Sequence, residues 1–215
     1  MLKRQSYFDY KQSEIEKLVL ETLSTLKSMM GDFGLYLREP TTENKTLLLE
    51  KEQFIDKNEK VIESTIHEVI SLEQIDPKNI KWLFAINRII RELERVGDQL
   101  INIVTLIGVL DTKMLVPLLN DFFGYEKEML GWLTYGMQYD DAEKLQQVIS
   151  HDAFVNHLNK RTYKRFVELI NEEEKLTESW LKMVIVSRFL ERIGDHLVNA
   201  AKAYKSVICF NAQLS

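Results

Sequence analysis

An eight-residue segment occurs twice in this chain, with six of its positions, two arginines, a leucine, a glutamate, a glycine and an aspartate, identical in both copies. Residues 91–98 read RELERVGD, and residues 188–195 read RFLERIGD, at an offset of 97 residues. Similarity at a fixed distance along a sequence indicates two copies of one structural unit. We therefore predict two repeats, residues 1–110 and 111–215, each with one ERxGD motif.

Scarcity of glycine and proline indicates the type of element that forms these repeats. The chain has only 8 Gly and 3 Pro among 215 residues, under half of the average usage of about 12%. Sandwiches, barrels and ordinary α/β folds need more of these turn-forming residues. Apolar residues make up 45% of the chain, which is enough for a hydrophobic core. The sequence therefore predicts an ordered, all-α protein.

Apolar residues recur at helical spacing in six long segments. The predicted helices run over residues 10–37, 42–70, 77–110, 111–138, 140–171 and 177–207. Thr42, Asp76, Asp111 and Asp140 are their predicted N-caps, and Pro77 fits the first position of the third helix. Short loops between long helices favour antiparallel neighbours. The predicted architecture is two tandem antiparallel three-helix bundles.

Charge and cysteine content exclude several classes of protein. The net charge is −5 and the chain has no run of Lys and Arg, so a nucleic-acid partner is not expected. Cys209 has no second cysteine to pair with, which fits a reducing compartment. The N-terminus has no signal-peptide core, and the most apolar stretch, residues 100–110, is shorter than the about 20 residues of a membrane span. We expect a cytoplasmic protein that reaches the membrane only through partners.

Pairs of acidic residues make each ERxGD motif a candidate cation site. Residues four apart share one face of a helix, so Glu94 lies beside Asp98, and Glu191 beside Asp195. Like charges at this spacing repel each other, and a bound Mg²⁺, Mn²⁺, iron or Zn²⁺ ion would reverse that effect. The second helix of each repeat carries further acids or amides: Glu52, Asp56 and Glu59 in the first repeat, and Asp152, Asn156 and Asn159 in the second.

A ladder of ion pairs along each helix would explain the same charges without a metal. Arg91 precedes Glu94 by three residues, and Arg95 precedes Asp98 in the same way. Against this alternative, each motif places a glycine inside a long helix, where it costs about 1 kcal/mol relative to alanine. Equivalent glycines in both repeats indicate close approach of a neighbouring backbone or room for a ligand.

The two ERxGD motifs, each preceded by a helix with acidic or amide residues, resemble the PhoU family of regulators associated with bacterial phosphate transport. The resemblance covers nearly the whole chain. It implies an all-helical fold of two similar bundles and metal clusters of iron or zinc on the bundle surface. The implied metal ligands are Glu52, Asp56, Glu59, Glu94 and Asp98 in the first repeat, and Asp152, Asn156, Glu191 and Asp195 in the second.

Asn156 departs from the family's usual acid. An amide oxygen is a neutral and weaker ligand, so we expect the second site to bind metal less tightly than the first.

The resemblance also implies a function: negative regulation of phosphate uptake and of the phosphate-starvation response. The implied partners are the ATPase of a phosphate ABC transporter and a sensor histidine kinase at the membrane. Long amphipathic helices also favour a homodimer. An accessory protein of a secondary phosphate transporter is a second hypothesis.

A metalloenzyme with a carboxylate-bound cluster is a third hypothesis, and the sequence argues against it. None of the four histidines follows a glutamate by three residues, so the Glu-x-x-His pairs of ferritin-like enzymes are missing. No base, nucleophile or oxyanion donor stands beside the acids, and the chain has no Gly-rich phosphate loop. We therefore predict a protein that is not an enzyme.

Overall fold

The computed structural model describes residues 7–72, 74–107, 116–172 and 178–213, with some side chains of the fourth to sixth helices left out. Within this part of the chain the protein forms six long α-helices and no strand. The helices are α1 Tyr7–Arg38, α2 Thr42–Leu72, α3 Pro77–Ile107, α4 Val116–Gln138, α5 Ala142–Glu172 and α6 Glu178–Gln213. The predicted all-α architecture is confirmed.

One predicted N-cap is observed in the structure, and at two other helices the observed N-cap differs from the predicted one by one residue. The Asn79 N–H donates to Asp76 Oδ1 over 2.9 Å, so Asp76 caps α3 as predicted. Thr41 caps α2, because its Oγ1 accepts the Asn44 N–H at 3.2 Å, and Thr42 is already helical. Asp141 caps α5 through two backbone N–H groups. The predictions of Thr42 and Asp140 as caps are therefore wrong.

Asp140 is not a cap because its backbone takes the left-handed conformation, with φ at 52°. This conformation ends α4 and turns the chain, and the next residue then opens α5. Asp is one of the few residues besides glycine that tolerate it. The predicted cap Asp111 and the predicted repeat boundary between residues 110 and 111 lie outside the described residues.

The third helices of the two repeats pack against each other and join the bundles. Glu92 of α3 lies 2.7 Å from His196 of α6, whereas Trp82, earlier in α3, lines one cavity together with Tyr204, later in α6. The two helices therefore run antiparallel. A second contact between the bundles forms where Phe33 of α1 packs against Phe123 of α4, with their ring centroids 4.6 Å apart.

The repeats match at two different offsets. Helices α2 and α5 begin at residues 42 and 142 and each have 31 residues, and α1 and α4 end at 38 and 138. The offset is therefore 100 in the first two helices of each repeat and 97 at the ERxGD motifs. The segment that connects the second helix to the ERxGD motif is therefore three residues shorter in the second repeat than in the first.

Among the described helices, none combines the length and the apolar character that crossing a membrane requires.

Candidate metal centre

Helices α2 and α3 pack closely around Gly97 of the first ERxGD motif. A Cβ placed on Gly97 would lie 3.5 Å from Ile55 Cδ1 and 4.0 Å from Glu52 Cγ, which are ordinary packing distances. The predicted close approach of a neighbouring backbone is therefore wrong at this position, because the nearest atoms belong to side chains. Gly97 nevertheless lies where Glu52, one of the acidic residues of α2, packs against the ERxGD motif.

Five carboxylates lie on the adjoining surfaces of α2 and α3, and we call them the acidic face: Glu52, Asp56, Glu59, Glu94 and Asp98. Burial raises the pKa of the Glu52 carboxyl, and the charges of Asp56 and Asp98 raise it further. Burial and then the charges of Asp98, Asp56 and Glu59 raise the pKa of Glu94 to about 7. The carboxylates therefore act on one another electrostatically across the two helices.

The pKa of Asp98 is raised within this face as well. Burial raises the pKa of Asp98, and the charge of Asp56 adds to the effect, whereas the hydrogen bond from Glu94 and the charge of His196 lower it. Since the pKa of Glu94 is raised to about 7, Glu94 keeps a proton at mildly acidic pH. A cation that binds here must displace that proton.

Basic side chains neutralise only the outer part of the acidic face. Lys60 Nζ lies 2.9 Å from Asp56 Oδ2. Arg91 forms an ion pair with Glu63 and lies 3.9 Å from Glu59. Neither Lys60 nor Arg91 forms an ion pair with Glu94 or Asp98, on which only the weaker effects of the Arg95 and His196 charges act among the described basic residues.

Among the described ion pairs, one pair of the predicted ladder forms in the second repeat, and neither pair predicted for the first repeat does. Arg188 pairs with Glu191 three residues later, as that alternative predicts. In the first repeat, Arg91 reaches across to α2 instead of pairing with Glu94, and Arg95 lies 4.0 Å from Glu92. The ladder therefore does not account for the charges of the acidic face.

The donor groups of the acidic face suit a hard cation, since all are carboxylate oxygens. After burial, the neighbouring carboxylates are the main causes that raise the pKa values of Glu52 and Glu94, and a cation would offset that effect. Among the described residues, however, no three His, Cys, Asp or Glu side chains converge in a metal-holding arrangement. Binding would therefore require side-chain rotation about the fixed helices.

The structure describes the second predicted site only in part. Glu191 and Asp195 project from α6, where Glu191 is half-buried and Asp195 is exposed. Asp152 and Asn156 belong to α5, but their side chains lie outside the described residues. The expectation of a weaker second site stays a prediction.

One polar contact between the repeats was missed by the sequence reasoning. His196 Nδ1 lies 2.7 Å from Glu92 Oε2, and Asn199 Nδ2 donates to the same oxygen at 3.5 Å. His196 thus contacts Glu92, which is only 6% exposed. The available signal was the position of Glu92 on the apolar stripe of α3, beside Ile89 and Leu93.

Comparison with known proteins identifies this arrangement of helices. The PhoU domain family model matches residues 19–107 and again residues 121–204, so both repeats are covered. A phosphate-specific transport system accessory protein PhoU homolog of Clostridium acetobutylicum is 22% identical over 199 residues, covering 89% of this chain and 91% of that protein. The homolog of the same name in Borreliella burgdorferi is 24% identical over 197 residues, covering 87% and 88%.

Solved structures share the fold. The crystal structure of PhoU from Pseudomonas aeruginosa matches with a TM-score of 0.86 at 17% identity, covering 94% of this chain and 99% of that one. The phosphate transport system regulatory protein PhoU from Streptococcus pneumoniae matches with a TM-score of 0.82 at 18% identity, covering 93% and 96%. With two tandem matches to the family model and this fold, the chain belongs to the PhoU family.

Proposed function

We propose that this protein is a negative regulator of phosphate uptake and of phosphate-starvation signalling. It acts in the cytoplasm as an adaptor between the ATPase of a phosphate ABC transporter and a sensor histidine kinase. The observation that carries the proposal is the family match in both repeats. The names of the relatives, a phosphate-specific transport system accessory protein and a phosphate transport system regulatory protein, support it.

The proposal includes a homodimer, and exposed apolar residues on the third helices support it. Phe84 of α3 is 63% exposed and Leu181 of α6 is 51% exposed, and they are equivalent at the offset of 97. Exposed apolar side chains at equivalent positions in both repeats suit contact with other proteins.

Affinity capture from cells grown at high and at low phosphate tests the adaptor role. The tagged chain should recover the ABC transporter ATPase and a sensor histidine kinase in at least one condition, and a tagged unrelated helical protein should recover neither. Recovery of a secondary phosphate carrier in their place would support the second hypothesis and contradict the adaptor role. Recovery of no transport or kinase component in either condition would contradict both hypotheses.

We propose further that the acidic face binds iron or zinc ions, with Mg²⁺ or Mn²⁺ as the alternatives. Its residues Glu52, Asp56, Glu59, Glu94 and Asp98 would hold the metal after side-chain rotation, and the metal would neutralise their carboxylates. The pKa of Glu94, which burial and then the charges of the neighbouring carboxylates raise to about 7, supports this proposal because a cation would offset the second of these causes. Metal loading should increase as the pH rises through that value, since the metal competes with the proton.

Replacement of Asp98 with alanine should remove most of the bound metal, whereas Asp195→Ala should leave most of it. The reason is that the second repeat has the neutral Asn156 where the first has Asp56. Elemental analysis of protein purified without a chelator measures both variants. Glu50→Gln is the control, since Glu50 is an exposed acid of α2 outside the acidic face. The reverse pattern, or equal loss in all three variants, would contradict the assignment.

A further inference from the structure

A cavity of about 220 Å³ lies between the two repeats, away from the acidic face. We call it the inter-repeat pocket. Glu16 of α1 and Trp82 of α3 line it from the first repeat, and Met137 at the end of α4 and Tyr204 of α6 line it from the second. Asp140, in the turn before α5, completes its edge. A group bound there would contact both repeats at once.

The walls of the inter-repeat pocket are apolar and aromatic. Trp82 is 7% exposed, Tyr204 is 8% exposed, and Ile86 and Met137 are also buried. These side chains belong to the core, so packing holds them in place. The faces of Trp and Tyr rings attract cations placed over them.

The edge of the pocket carries negative charge from both repeats. The Tyr204 hydroxyl donates to Asp140 Oδ1 at 2.7 Å and holds this carboxylate at the pocket. Burial, this hydrogen bond and the charges of Asp140 and Glu16 together raise the pKa of Tyr204. Both carboxylates therefore act on the same buried hydroxyl.

No basic side chain of the described residues balances these two carboxylates. Lys and Arg are absent from the described lining of the pocket. Glu16 accepts a hydrogen bond from the Gln12 amide at 2.8 Å, which is a neutral contact. Because Asp141 caps α5, Asp140 is not used by the helix and its carboxylate is available at the pocket.

We infer that the inter-repeat pocket binds a cationic head group, an alkylammonium or a guanidinium. The carboxylates of Glu16 and Asp140 supply charge-assisted hydrogen bonds, and Trp82 supplies an aromatic face. The volume of about 220 Å³ is below the about 300 to 1,000 Å³ of typical drug-sized ligand sites. The occupant is therefore a small amine or a single Lys or Arg side chain of a partner protein.

Thermal unfolding and calorimetry of the full chain test the inference with two cationic probes, a neutral probe and an anionic probe. Butylammonium and agmatine should bind and raise the melting temperature, because a ligand that binds only the folded state stabilises it. Butanol and butyrate, at the same ionic strength, should do neither. Equal effects of butanol and butylammonium would contradict the role of charge.

Matched variants locate the binding. Asp140→Asn keeps a residue that tolerates the left-handed backbone, and Glu16→Gln keeps the side-chain length, yet each should weaken butylammonium binding roughly tenfold. Glu21→Gln is the control, because Glu21 is on the same helix and pairs only with Lys17 among the described residues. If Asp98→Asn rather than Asp140→Asn removed binding, the amine would be bound at the acidic face and the inference would be overturned.

A second set of probes, Nα-acetyl-lysine methylamide and Nα-acetyl-arginine methylamide, distinguishes a side chain of a partner protein from a free small amine as the occupant. Binding of these blocked residues indicates that a side chain of a partner can occupy the pocket. Binding of agmatine and butylammonium without them indicates a free amine. Absence of binding by every cation at millimolar concentration overturns the inference, whatever the outcome of the affinity capture.

Discussion

Replacement of His196 with leucine is expected to lower the free energy of unfolding by about 3 kcal/mol. Glu92 is buried between the repeats and lies 2.7 Å from His196 Nδ1. Without the imidazole, the Glu92 carboxylate would retain, among the described residues, only Asn199 at 3.5 Å and Arg95 at 4.0 Å. Removal of one partner leaves the other buried polar group unsatisfied, which costs more than the contact itself contributed. Urea denaturation measures this loss of free energy, and thermal unfolding should show a melting temperature lowered by about 6 to 12 °C.

The double variant Glu92→Leu/His196→Leu separates this cause from general damage to packing. When both polar partners become apolar, no buried group is left unsatisfied, so much of the lost stability should return. His67→Leu is the control, since His67 is exposed on α2 and should change stability little. A double variant as unstable as the sum of the two single variants would show that the pair is not coupled.

The sequence predicted all six helices because helical periodicity and the scarcity of turn-forming residues are local properties. The caps were harder to predict. Asp140 and Asp141 are adjacent and chemically identical, so the choice between them depends on which backbone leaves the helical region. The same applies to Thr41 and Thr42, where the side chain that accepts the Asn44 N–H belongs to the earlier residue.

The candidate site was predictable within a helix and not between helices. A spacing of four residues places Glu94 beside Asp98, and the pKa of each responds to the other. The same reasoning suggested a pair between Arg91 and Glu94, but Arg91 contacts α2 instead. The contact of Glu92 with His196 depends on the antiparallel packing of α3 against α6, which no local pattern shows.

Replacement of Glu126 with leucine is expected to stabilise the protein by about 1 to 3 kcal/mol. Glu126 of α4 is 0% exposed, and neither carboxyl oxygen has a hydrogen-bond partner among the described residues. At the offset of 100 its counterpart in the first repeat is Leu26, which is fully buried in the core. Leucine at position 126 would restore the apolar residue of the other repeat. Urea denaturation of Glu126→Leu measures the gain, and Glu126→Gln should not reproduce it, because the amide stays buried and polar.

The pH dependence of stability gives a second measurement on the same variant. Burial raises the pKa of Glu126 well above its ordinary value of 4.5 in the folded protein. The folded state therefore binds more protons than the unfolded state, and stability falls as the pH rises above about 4.5. The difference in unfolding free energy between Glu126→Leu and the parent chain should therefore grow from mildly acidic to neutral pH. A leucine variant that is less stable than the parent at every pH would show that the carboxyl group is a stabilising part of the second repeat's core.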